Sequence, residues 1–60
     1  MTTLGERLRK ARKRKGLSQS AASEAIGISN KALSRYETDI SYPALEVLKK
    51  LGRLYDVSSE

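Results

Sequence analysis

The side chains of this sequence with the greatest chemical capacity are basic. Twelve Lys and Arg stand against seven Asp and Glu, a net charge of +5, and seven of the twelve lie between Arg7 and Lys15. Such clustering favours a polyanionic partner; the alternative is a solvated basic helix face. Cys and His are both absent, which removes thiolate nucleophiles, imidazole bases, disulfides and nearly all zinc sites. Ser, Tyr, Lys, Asp and Glu remain, but no spacing sets a nucleophile beside a base, and no Gly-rich phosphate loop is present. The expectation is a binding protein with no catalytic residue, metal, cofactor or evident small-molecule site.

The elements that position these residues must be few. Sixty residues make one domain, read here as residues 1–60, and a chain of that size buries only about 60% of its unfolded surface. No stretch approaches the roughly 20 apolar residues of a membrane span, and the start lacks an apolar signal core. A soluble, unprocessed, cytoplasmic protein is expected. Apolar residues recur at spacings of three and four without strand-like alternation, so the fold class is all-α, a compact four-helix bundle.

Thr3 and Glu6 fit a capping box, after which Leu4, Leu8 and Ala11 form the apolar face of a first helix running to about Lys15, where Gly16 stops it. Ser18 caps a second helix of about two turns with Ala22 and Ile26 inward, and Gly27 suits the position just past its end. Ser29 caps a third, from about Asn30 to Glu37, burying Leu33 and Tyr36. Thr38–Tyr42 reads as a loop, with Pro43 at the first position of a fourth helix that carries Leu45, Leu48, Leu51, Leu54 and Tyr55 inward. There is no internal repeat, low-complexity tract or linker.

The informative segment is 17–37, LSQSAASEAIGISNKALSRYE. Its two capped helices flank Gly27 and share an apolar seam of Ala22, Ile26, Ile28, Leu33 and Tyr36, which sets them at a steep angle and leaves Asn30, Lys31, Ser34 and Arg35 on a free face. The order LxxxRxxxGLSQ at Leu8–Gln19, then Gly27-Ile28-Ser29, then SRYE at Ser34–Glu37, then Pro43, Leu45 and Leu48, resembles the lambda-repressor-like helix-turn-helix family. The resemblance covers nearly the whole chain.

It implies a transcriptional regulator, a repressor that binds double-stranded DNA at a palindromic operator as a homodimer, with the helix from Ser29 in the major groove. Asn30, Lys31 and Arg35 then become base readers: Asn suits adenine, Arg suits guanine, and Lys reaches guanine or phosphate. Ser34 shares that face, and Ala32 could touch a thymine methyl. Phosphate contacts are expected where a helix start offers free N–H groups, at Ser18, Gln19 and Ser20, with Lys15 nearby and Ser41 and Tyr42 as loop candidates. Arg12 matches an Arg that many relatives pair with a Glu at the position of Glu37, bracing the recognition helix; Arg12 is also a candidate phosphate contact.

The sequence departs from the family pattern at several points. Ala22 replaces a larger aliphatic and Ser23 an Ala, Thr38-Asp39 replaces a turn ending in Gly, and the loop lacks the basic residue some relatives place in the minor groove. Many relatives begin a fifth helix near Ser58 or Ser59, so the chain reads as a fragment of a longer regulator, with Leu51, Leu54 and Val57 left uncovered and available for pairing. An antitoxin or a restriction-modification controller would look the same. Two other classes are open: a protein-interaction module, against which Lys31 and Arg35 argue, and a membrane-surface role for the first helix, whose apolar face the core needs.

Overall fold

The computed structural model describes residues 2–56 and contains four helices: α1 (Leu4–Arg14), α2 (Gln19–Ile26), α3 (Asn30–Glu37) and α4 (Leu45–Leu54), with no strand among the described residues. Local chemistry sets most boundaries. The Thr3 hydroxyl accepts from the Glu6 N–H at 3.2 Å while the Glu6 carboxylate accepts from the Thr3 N–H at 2.9 Å, which completes the capping box. Ser18 and Ser29 cap α2 and α3 by accepting from Ala21 N and Ala32 N, both at 3.0 Å. Each such cap stabilises its helix by about 1 kcal/mol.

Gly27 ends α2 at φ 77°, a left-handed conformation that costs a residue without Cβ nothing. The Ile28 N–H then reaches back to the Ser23 carbonyl at 3.0 Å, turning the chain sharply into α3. The same closure recurs after α3, where Asp39 takes φ 63° and the Ile40 N–H donates to the Arg35 carbonyl at 3.0 Å. Asp39 therefore does supply the left-handed turn that many relatives give to Gly.

The core is Leu8, Ala22, Leu33, Leu51 and Tyr55, with Leu4, Ala11, Leu17, Ile26, Ile28, Tyr36, Val47, Leu48 and Leu54 half-buried around it. Each fully buried leucine contributes roughly 1.5–3 kcal/mol relative to exposure. α3 packs against both α1 and α2, and α2 also packs against α4. Within the α2–α3 pair, α3 is therefore held by α1 and α2 by α4.

Three expectations need correction. Pro43 precedes α4 instead of starting it, and Ala44 is the N-cap, with no side-chain hydrogen bond. Leu45 is 66% exposed, because on the first turn of α4 it lies about 120° around the helix from Leu51, the centre of the buried stripe. Leu51, expected to be uncovered, is fully buried, and Leu54 is half-buried. The exposed large apolar residues among those described lie instead around the α3–α4 connection, at Ile40, Tyr42 and Leu45. Val57, Ser58 and Ser59 fall outside the described residues.

Candidate nucleic-acid interface

The helix-turn-helix places two polar surfaces side by side. On α3, Leu33 points into the core, and Lys31 and Arg35, one turn apart, project from the opposite side, both exposed. Asn30 is exposed at the start of the helix, while Ala32 and Ser34 are half-buried on its flanks. The first two N–H groups of α2, those of Gln19 and Ser20, have no intrahelical acceptor, as at every helix start, and the helix dipole places partial positive charge there. The Asn30 amide donates to the Ser20 hydroxyl at 3.3 Å, so the starts of α2 and α3 meet in one continuous surface.

Behind that surface is a buried polar cluster. Arg12 Nε donates to Glu37 Oε2 at 2.8 Å and Nη2 to Oε1 at 3.1 Å, a two-point pair, while Nη1 donates to the Leu17 carbonyl at 2.9 Å. Gln19 Nε2 donates to the same Glu37 Oε1 at 3.1 Å. Glu37 thus ties the last turn of α3 to α1 and to the first residue of α2. The hydrogen bond to Glu37 raises the Arg12 pKa, against burial, which acts the other way.

This geometry sorts the sequence candidates. Arg12 is 8% exposed, and its guanidinium is hydrogen-bonded inside the fold to Glu37 and to the Leu17 carbonyl. Gln19 is half-buried, and its side chain joins the cluster by donating to Glu37. Lys15 turns to the other side: its amine lies 3.9 Å from Asp56 at the end of α4, an exposed pair worth little. Ser41 is half-buried and Tyr42 exposed on the loop that follows α3.

One positioning residue, Gly5, is absent from the sequence reading, as is a second role for Asp39, which is read there only as part of the turn after α3. Gly5 lies where α1 meets the end of α3, and a Cβ there would stand 2.6 Å from the Glu37 carbonyl oxygen and 2.7 Å from that of Tyr36. Asp39 accepts from the Gly5 N–H at 2.9 Å and from the Thr3 hydroxyl at 2.6 Å, so the residue that turns the chain out of α3 also caps α1. A glycine in the first turn of a helix, where it weakens the helix, was the available signal for the first.

A tight turn between two capped helices, the second braced from behind and polar in front, defines a helix-turn-helix domain. Residues 8–60 match the family described as Helix-turn-helix, and the chain belongs to that family in its lambda-repressor-like form. It is similar to the HTH-type transcriptional regulator ImmR of Bacillus subtilis (strain 168), with 43% identity over 58 residues, which are 97% of this chain and 46% of that protein. It is similar also to the HTH-type transcriptional regulator PuuR of Escherichia coli (strain K12), at 41% identity over 90% of this chain and 29% of that protein. The chain thus spans less than half the length of these two relatives. Among solved structures, the P22 c2 repressor protein in complex with synthetic operator 9T matches with a TM-score of 0.90 and 33% identity, covering 97% of this chain and 88% of that one.

Proposed function

We propose that residues 1–60 form a sequence-specific double-stranded DNA-binding domain of a transcriptional regulator, a repressor that places α3 in the major groove of a palindromic operator as a homodimer, in the cytoplasm. The observation that carries this is the single surface formed by Asn30, Lys31 and Arg35 on α3 and the start of α2 beside it. Arg35, Lys31 and Asn30 read base edges, with Ser34 and Ala32 at the flanks of the contact. The N–H groups of Gln19 and Ser20, the Ser18 cap and the loop residues Ser41 and Tyr42 hold phosphates and set the register. The names of the relatives and the operator bound to the P22 c2 repressor support the same reading. No step in it needs a cofactor.

The test is to select bound sites from a random duplex pool, then titrate the best site and a random duplex at several salt concentrations. Affinity should fall by about 0.9 log units per log unit of salt for each phosphate neutralised. Arg35→Ala should cost roughly 1–3 kcal/mol on the selected site and relax preference at one position, with little change on random DNA. A flat salt response, or equal losses on both duplexes, would overturn the DNA reading or the role of Arg35 respectively.

A further inference from the structure

The start of α3 is tied to the start of α2 by a hydrogen bond between side chains. Asn30, the first residue of α3, donates from its amide to the Ser20 hydroxyl at 3.3 Å, and both residues are exposed. Gln19, the polar neighbour of Ser20 on α2, sends its own amide inward to Glu37, so Ser20 is the α2 side chain that meets Asn30. Ser23 supports both sides of this contact. It is 3% exposed, and its hydroxyl finds the partner a buried hydroxyl needs in the Ser20 carbonyl, at 3.1 Å. Its own carbonyl accepts from the Ile28 N–H at 3.0 Å, which closes the turn that leads to Asn30.

A side-chain amide carries two N–H donors on nitrogen and one acceptor oxygen. In the major groove adenine presents N7 as acceptor and N6–H as donor, so asparagine reads it with Oδ1 and one N–H. The second N–H is the one left for Ser20. A bond there resists turning the amide over, which would exchange Oδ1 and Nδ2 and set a donor against the N6–H of adenine. We propose that Ser20 is a positioning residue for base readout: its hydroxyl holds the Asn30 amide in the orientation that selects adenine at one position of a half-site, without touching that base. This rests on α3 being the recognition helix, and it adds the residue on α2 that sets what α3 reads.

The test measures the 60-residue chain on the selected operator and on duplexes carrying each of the four bases at each position of one half-site. Asn30→Ala should abolish a preference for adenine at one position. Ser20→Ala should lower the preference at that position, and at no other, by roughly three- to tenfold, the range expected for one net hydrogen bond. Ser20→Thr keeps the hydroxyl and should keep the preference. In the Asn30→Ala background, Ser20→Ala should change no base preference. A measurement without DNA accompanies these: magnetic resonance relaxation of the isotope-labelled free chain should show the Asn30 side-chain amide less ordered in Ser20→Ala and as ordered as before in Ser20→Thr. Equal weakening by Ser20→Ala on every duplex would make Ser20 a phosphate contact and overturn the proposal. So would an Asn30 position that prefers another base, a response to Ser20→Ala at some other position or in the absence of Asn30, or an amide whose order is indifferent to Ser20. If Arg35→Ala still relaxes its own position in any of these cases, α3 remains the recognition helix and only the role of Ser20 falls; no base preference at any position would overturn both.

Discussion

Tyr55 is 4% exposed, and its hydroxyl has no hydrogen-bond partner among the described residues. Burial disfavours the tyrosinate and the charge of Glu37 adds to that, while Arg12 opposes it, so the pKa lies above the usual 10. The native state then holds the proton more tightly than the unfolded chain does. The resulting stability is fully present below pH 10 and is lost as pH rises through the folded pKa. Tyr55→Phe removes both the titration and an unsatisfied buried group, so at pH 7 it should be neutral or stabilising by up to about 1–3 kcal/mol. Urea unfolding at pH values from neutral to strongly alkaline should show a shallower alkaline decline in the variant. An unchanged decline would assign the alkaline loss to other groups. Sequence reading identifies Tyr55 as a core residue from its spacing to Leu48 and Leu51, but the solitary hydroxyl depends on what α1 and α3 bring near it.

Between elements, the contact that orients α3 is made at Gly5 and at the Arg12–Glu37 pair. Gly5→Ala forces a Cβ against two carbonyl oxygens of the backbone, so α1 must move away from the end of α3. The expected cost is about 1–3 kcal/mol of stability, read by denaturant midpoint, with a larger loss of affinity for a selected site than for random DNA because α3 tilts. A destabilised variant with unchanged discrimination would reduce Gly5 to a packing role. For the ion pair, removing either partner leaves a buried charge, and Arg12→Ala should cost about 3–5 kcal/mol. The double variant Arg12→Ala with Glu37→Ala should lose less than the sum of the singles by about 0.5–3 kcal/mol, as measured in a double-mutant cycle. What the sequence makes legible divides along the same line. The caps at Thr3, Ser18 and Ser29 and the turn at Gly27 act within a few residues, so spacing alone finds them. The link from Asp39 to Thr3 and Gly5 spans more than thirty residues, and no local pattern shows it. The start of α4 misleads for a related reason, because proline suits both the first helical turn and the loop before it, and only the path out of Asp39 decides. Arg12 and Glu37 are legible only as a family pattern, since twenty-five residues separate them.

At the scale of the molecule, the described part of the chain spans 26 × 23 × 21 Å, each extent below one turn of DNA at roughly 34 Å. Two copies placed with their α3 helices in successive major grooves would then sit side by side on one face of a duplex. The large exposed apolar residues among those described are Ile40, Tyr42 and Leu45, at 72%, 74% and 66% exposure, around the connection that leaves the end of α3. A homodimer on a palindrome follows if those side chains meet across a two-fold axis, because a symmetric contact repeats the same patch on both partners. The contact is small, so pairing should be weak in solution and become effective when DNA holds both copies close. Two half-sites spaced one turn apart should then bind cooperatively, and inserting about half a turn, roughly 5 base pairs, should abolish cooperativity by rotating the second copy to the far side of the duplex. Ile40→Ser should reduce cooperativity on the correctly spaced site while leaving single half-site affinity nearly intact, whereas Tyr42→Ser, which also removes a proposed phosphate contact, should lower both. Titration of the spaced duplexes beside a single half-site separates these outcomes. Equal affinity per site at every spacing would mean that the domain binds as independent copies, and the proposed dimer would have to be formed by parts of a longer protein.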